Sequence, residues 1–206
     1  MLICSTRVEE SRPGRGEDRI ATLAAADRTV IVVADGAGGV AGGAAAADFI
    51  CARAAAANAQ GWVERLATID SEMSAAASCG LAAAVVLDVS RDGTVTGASV
   101  GDCEAWLFGD GEPRNLTIGQ SRKPLLGSGE ASPRGFTTKI TNGTLVVGTD
   151  GLWKYAGRPR IVEAASSRPL DAAAIALVNA ARLRNGELQD DVGVVVIEIS
   201  DQANAS

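Results

Sequence analysis

The sequence predicts an α+β fold with a sheet that is at least partly antiparallel, and three observations carry that expectation. Runs rich in β-branched residues, such as Thr29 to Ala34 and Val192 to Ile199, read as strands. Alanine-rich stretches with apolar residues three and four apart read as helices, and Asp-Gly and Asn-Gly pairs separate neighbouring β-rich runs as hairpin turns do. With 206 residues, 47% of them hydrophobic, the chain is long enough for one well-buried core; one domain is expected over residues 1–200, with a polar tail at 201–206.

Taken in order, the strand Thr29 to Ala34 ends at Asp35 and a glycine-rich stretch from Gly36 to Gly43, after which an alanine-rich helix runs to about Gln60. A second helix is expected from Trp62 to about Ser78, where Val63, Leu66, Ile69 and Met73 recur on one face, with Gly80 as its stop. Leu81 to Val89 and Thr94 to Val100 flank Asp92-Gly93 and read as a hairpin, and Cys103 to Phe108 adds a strand. Phe136 to Ile140 and Thr144 to Gly148 flank Asn142-Gly143 and read as a second hairpin. Leu170 to Arg184 reads as a helix with Asp171 at its favourable end, and Val192 to Ile199 closes the chain.

Composition excludes several classes of function. A net charge of -6 and a pI near 4.8 argue against general binding to nucleic acid or to an anionic membrane, since either needs a basic surface. Cys4, Cys51, Cys79 and Cys103 form no C-x-x-C pair, so they are expected as buried, reduced thiols of a cytoplasmic protein. Residues 1–8 resemble neither a signal peptide nor an anchor, and no uncharged apolar run approaches the ~20 residues of a spanning helix. The chain has no histidine, so the commonest general acid and the commonest zinc ligand are both absent. Aromatic residues are only 3%, so the alanine-rich helices should pack through small side chains.

Asp35, Asp150 and Asp190 share one setting at the mouth of a hydrophobic strand, and Asp102 follows Gly101 at another strand junction. Each alone could simply cap a turn. Together, as oxygen ligands with neither imidazole nor thiolate, they point to a hard cation, Mg2+ or Mn2+. The glycines after Asp35 and Asp150 allow close approach to an ion. A competing motif, Gly36 to Ala41, fits the G-x-G-x-x-A dinucleotide fingerprint, but no acidic residue closes a second strand about twenty residues on.

In this order the motifs resemble those of the protein phosphatase 2C family: Glu17-Asp18, VVADGAGGVAGG, SVGDCEAWLF, NLTIGQS, LVVGTDGLW and QDDVGVVVIEI. The resemblance spans about Arg7 to Ile199. It implies a four-layer sandwich of two mostly antiparallel sheets flanked by helices, and hydrolysis of phosphoserine or phosphothreonine by a hydroxide bridging two Mg2+ or Mn2+ ions. Carried over by position, it implies that Asp35 bridges two ions, that the Gly36 carbonyl binds one, and that Asp150 and Asp190 complete the second. Asp102 with Asp150 would form a third site, and Glu17 would hold metal-bound water. The family's phosphate-binding arginine falls on either Arg12 or Arg15, because this segment carries one extra residue. The implied partners are a phosphoprotein substrate and an opposing Ser/Thr kinase.

Three departures from the family pattern stand in the sequence. Ala37 and Val40 occupy the places where a histidine proton donor is usual, Gly119-Gln120 replaces an Asp-His pair, and the segment from Ser121 to Leu145 is short. The loss of the acid leaves a second reading open, a metal-binding pseudophosphatase that acts as a regulatory module.

Overall fold

A computed structural model describes residues 2–37, 42–56, 61–76 and 80–199. The chain runs β1 (Leu2–Glu9), β2 (Asp18–Ala24), β3 (Arg28–Gly36), α1 (Gly43–Ala55), α2 (Trp62–Ala75), β4 (Ala82–Ser90), β5 (Thr94–Val100) and β6 (Glu104–Phe108). It continues with β7 (Arg114–Asn115), β8 (Arg134–Lys139), β9 (Thr144–Gly148), α3 (Asp150–Tyr155), α4 (Arg158–Ala165), α5 (Leu170–Ala181) and β10 (Val192–Ile199). These strands form two sheets of five, ordered β1-β10-β9-β6-β7 and β2-β3-β4-β5-β8, and every pairing within them is antiparallel.

Three apolar layers hold the sandwich. Ile31, Val33, Leu87, Leu145 and Val195 interlock between the sheets. Val32, Ala34 and Ala84 on the other face of β3 and β4 meet Ala46, Ala47 and Ile50 of α1 and Leu66, Ile69 and Met73 of α2. Val146, Val194 and Val196 meet Leu152 of α3, Ile161 of α4 and Ala173, Leu177 and Ala181 of α5. The expected four layers are therefore present, and α1 and α5 pack largely through alanine, whereas α2 uses larger side chains. Sheets buried on both faces read as continuous apolar runs, which is why β3, β4 and β10 stood out in the sequence.

The Asp92-Gly93 hairpin forms as expected, with Gly93 in the left-handed region at φ 88°. The Asn142-Gly143 hairpin does not. Gly143 does take a left-handed turn at φ 100°, but β8 pairs with β5 in one sheet while β9 pairs with β6 and β10 in the other. The turn thus carries the chain across the sandwich, because both strands find longer-range partners that outweigh the local preference. The dinucleotide reading also fails, since β3 lies between antiparallel β2 and β4 and starts no parallel βαβ unit; Gly38 to Ala41 of that motif lie outside the described residues.

The α5 helix stops at Ala181, earlier than the expected Arg184, because Arg182 turns extended. Its guanidinium joins Asn179, the Gly186 carbonyl and Glu9. Of the cysteines, Cys103 is buried, Cys4 and Cys51 are half-buried, all three are free thiols, and Cys79 lies outside the described residues. Burial pushes the Cys4 thiol up to about 11 and the Cys51 thiol up to about 12. None of the described helices is long and apolar enough to cross a membrane.

One buried charge fixes the loop beside the site. Asp70 of α2, 3% exposed, accepts the backbone N–H groups of Gly127, Gly129 and Ala131 at 2.7, 3.0 and 2.9 Å. Hydrogen bonds to a charged group contribute about 1.5–3 kcal/mol each, enough to hold a segment that has no sheet partner of its own beyond the Ala82–Leu126 bridge.

Candidate metal centre

The two sheets bring their strand ends to one seam, and there the acidic residues meet. A cavity of about 250 Å3 is lined by Glu17, Asp18, Asp35, Asp102, Asp150, Asp190 and Asp191, with Gly36, Ala37, Ala83 and Leu125 completing its wall. Every residue expected as a metal ligand is in this wall. Arg12 and Arg15 are not; both are exposed on the loop before β2.

Local structure explains each placement. Asp35 sits near the end of β3, opposite Asp18 in the register with β2 and opposite Ala83 in the register with β4. Asp102 lies in the turn between β5 and β6, after Gly101 at φ 89°. Asp150 opens α3, and Asp190 and Asp191 immediately precede β10. Thr149 ties these parts together. Its hydroxyl donates to Asp18 at 2.7 Å and accepts the Gly193 N–H at 2.9 Å, so a residue at the end of β9 bonds a carboxylate of the opposite sheet.

The glycines serve the close approach of one chain segment to another. A Cβ on Gly36 would strike the backbone of Gly43, and a Cβ on Gly43 would lie 2.5 Å from Glu17 Oε1. A Cβ on Gly151 would strike the carbonyl of Asp191. The Asp-Gly pairs thus let the loops bearing Asp35 and Asp150 close onto their neighbours.

Sequence reasoning missed two members of the cavity. Asp18 was visible only as half of the Glu17-Asp18 pair, and its inward placement follows from its position at the start of β2. Asp191 was visible in the Asp190-Asp191 doublet. Its carboxylate accepts the N–H and hydroxyl of Ser11 at 2.8 and 3.0 Å and the N–H of Glu17 at 2.8 Å, so it pins the loop that carries Arg12, Arg15 and Glu17.

This crowding reshapes the acidity of the group. Burial, then the charges of Asp18, Asp150, Asp102 and Asp190, pushes the Asp35 carboxyl up to about 9. Burial also raises Asp18 to about 7, against the pull of the Thr149 hydrogen bond and with the help of Asp191, Asp190 and Asp150. Asp150 is raised by burial, Asp190 and Asp102, and is partly relieved by Lys154 and Arg122. The donor set suits a hard divalent cation: Asp35, Asp102 and Asp150 each offer an oxygen within 4.8 Å of the others, and the cavity has no imidazole or accessible thiolate. Asp190 and Glu17 line the same cavity outside this closest group.

Two antiparallel sheets between helical layers, with this acidic cavity at their seam, make a protein phosphatase 2C-like fold. The chain belongs to the SpoIIE family: the model of Stage II sporulation protein E (SpoIIE) matches residues 25–200. No curated protein matches the sequence. Among solved structures, the S. agalactiae serine/threonine phosphatase is 18% identical with a TM-score of 0.83, over 97% of this chain and 100% of that one. The serine/threonine phosphatase Stp1 from Staphylococcus aureus is 16% identical with a TM-score of 0.81, over 98% and 96% of the two chains. RsbX in complex with magnesium is 17% identical with a TM-score of 0.76, over 97% and 96%.

A pH dependence follows for the metal-free protein. Asp35 and Asp18 hold protons more tightly folded than at the ordinary value of 3.8, so their contribution to stability is fully present below about pH 4. It is lost as pH rises through about 7 and about 9. In chelator, the melting temperature should therefore fall between pH 5 and pH 9, and Asp35→Asn should flatten the fall and melt above wild type at the alkaline end. A wild-type melting temperature that rises over this range would show that the carboxylates are not crowded as described.

Proposed function

We propose that this chain is a metal-dependent phosphoprotein phosphatase that hydrolyses phosphoserine and phosphothreonine with Mg2+ or Mn2+. The observation that carries the reading is the convergence of Asp35, Asp102 and Asp150 within 4.8 Å at the seam of a phosphatase fold. In this reading Asp35 would serve both of two ions and the Gly36 carbonyl one of them, Asp150 and Asp190 would complete the second, and Asp102 with Asp150 would hold a third. Glu17 orients water from the cavity wall. Bound divalent cations would supply positive charge for the transferring phosphoryl group and make a water molecule acidic enough to attack near neutral pH. The reacting partner is a phosphoprotein, with a Ser/Thr kinase opposing it.

The residues of the chain have defined tasks around that chemistry. Thr149 keeps Asp18 hydrogen-bonded and β9 fixed across the seam, which holds Asp150 toward Asp35. Asp191 orders the loop of Arg12 and Arg15, the two arginines that the family resemblance makes candidates for holding phosphate. Ala37, on the cavity wall, supplies no proton where a histidine is usual; Val40, the other such place, lies outside the described residues.

Hydrolysis of p-nitrophenyl phosphate with added Mn2+ tests the reading directly. Wild type should turn over with Mn2+ and stop with chelator. Asp35→Asn and Asp150→Asn should stay folded and lose activity together with tight Mn2+ binding in calorimetry. A folded wild type that binds Mn2+ yet hydrolyses no phosphoester would instead favour the pseudophosphatase reading.

The missing acid gives a second expectation. A serine alkoxide gains much from protonation as it leaves and an aryl oxide gains little, and general acids contribute about 10²–10⁴-fold. Ala37→His should raise kcat/KM for a phosphoserine peptide while leaving that for p-nitrophenyl phosphate nearly unchanged. Equal effects on both substrates would show that leaving-group protonation does not limit this site.

A further inference from the structure

We propose that a second cavity, between β6 and the helices α3 and α4, binds a guanidinium cation carried on an apolar body, and that Arg158 occupies the cation position until that ligand arrives. The site shares no wall residue with the acidic cavity and does not depend on the phosphatase reading.

This cavity has a volume of about 250 Å3, and its wall includes Glu104, Trp106 and Phe108 of β6, Trp153 of α3, and Arg158 and Ile161 of α4. Only 3% of the chain is aromatic, yet two of its three tryptophans meet here. The indoles of Trp106 and Trp153 stack with centroids 5.7 Å apart and planes at 20°, and Phe108 stacks on Trp106 at 6.4 Å. Both indole N–H groups are spent inside the protein. Trp106 donates to Glu104, and Trp153 donates to the Gly148 carbonyl at 2.9 Å. The rings are thus held in place before anything binds, and what they offer a ligand is ring face. Both tryptophans are only half-buried, so the recess is open and not a filled part of the core.

The face of an indole attracts cations, and a planar guanidinium stacks on it. The protein already displays that contact, since the Arg158 guanidinium carbon lies 5.5 Å from the centre of the Trp106 ring. Its hold there is slight. Among the described residues its one hydrogen-bond partner is Glu112 at 3.0 Å, whose side chain is 91% exposed, and ion pairs so open to solvent contribute little. Arg158 can therefore move out with Glu112 and leave the ring face to an incoming cation of the same chemistry.

A carboxylate beside the rings supplies the counter-charge. Glu104 Oε2 accepts from Trp106 and from the Asn115 side-chain amide at 2.9 Å, whereas Oε1 accepts no hydrogen bond among the described residues. One oxygen is thus anchored and the other is left for a donor, which a guanidinium N–H supplies in charge-assisted form. An aromatic anion would instead meet Glu104 in the wall and Glu112 at the edge. The guanidinium can come from a free small molecule or from an arginine side chain of another protein, and the two differ in what surrounds the cation.

The experiment is titration of the full chain with benzylguanidinium and with acetylarginine amide, followed by tryptophan fluorescence; benzyl alcohol and phenylacetate serve as neutral and anionic counterparts. Trp62, the third tryptophan, is 9% exposed, bonds Asp88 and gives a constant background. A guanidinium probe should give a saturable change and bind about tenfold tighter than either counterpart. The tighter of the two guanidinium probes identifies the source, free small molecule or arginine side chain. Arg158→Ala, which vacates the ring face, should bind that probe about three- to tenfold tighter than wild type. Glu104→Gln, whose amide oxygen can still accept from Trp106 and Asn115, should bind it about tenfold more weakly at an unchanged melting temperature. Should Glu104→Gln not fold, the exposed Arg158 keeps the test open. Phenylacetate or benzyl alcohol bound as tightly as benzylguanidinium, weaker binding in Arg158→Ala, wild-type affinity in a folded Glu104→Gln, or no saturable response to either guanidinium probe would overturn the proposal.

Discussion

The crowding of partly desolvated carboxylates at the seam of the sandwich is the constraint around which this protein is arranged. Seven acidic side chains face one cavity of about 250 Å3, and burial with mutual repulsion lifts Asp35 to about 9 and Asp18 to about 7. Partial desolvation and crowding both disfavour charge on these carboxyls, so the group gains by carrying protons or binding cations. The fold tolerates the arrangement because the rest of the seam is tightly tied. Thr149 bonds Asp18 and Gly193, Asp191 bonds Ser11 and Glu17, and two glycines let neighbouring backbones close to distances that a side chain would forbid. The apolar layers on either side of each sheet hold these loops in place.

A second buried charge is treated in the opposite way. Asp70 is as deeply buried as Asp18, yet it accepts three backbone N–H groups and has no acidic neighbours among its partners. It orders the segment from Gly127 to Ala131, which follows Leu125 of the cavity wall. The α2 layer is thereby connected to the cavity through one carboxylate.

Much of this was legible in the sequence, and the failures have physical causes. β3, β4 and β10 are buried on both faces and announce themselves as apolar runs ending in aspartate. β1 and β2 are edge strands whose residues are largely half-buried or exposed, so LICSTRVE and DRIATLA show no clean alternation. The short helices α3 and α4 offer too few turns for a 3.6-residue period to emerge. Asn142-Gly143 reported a turn faithfully but carried no information about which sheet each strand would join. At the site, Asp35, Asp102, Asp150, Asp190 and Glu17 were readable from motif positions. Asp191 was not, because its task is to bond Ser11 and Glu17, distant in sequence.

At the seam, the carboxyls hold protons until cations replace them. Titration calorimetry with Mn2+ near pH 7, repeated in buffers of different ionisation enthalpy, counts the protons that leave as metal enters. About one proton or more per chain should be released, because the raised carboxyls must ionise to bind. Tight Mn2+ binding with no proton release would show that these carboxyls are already ionised.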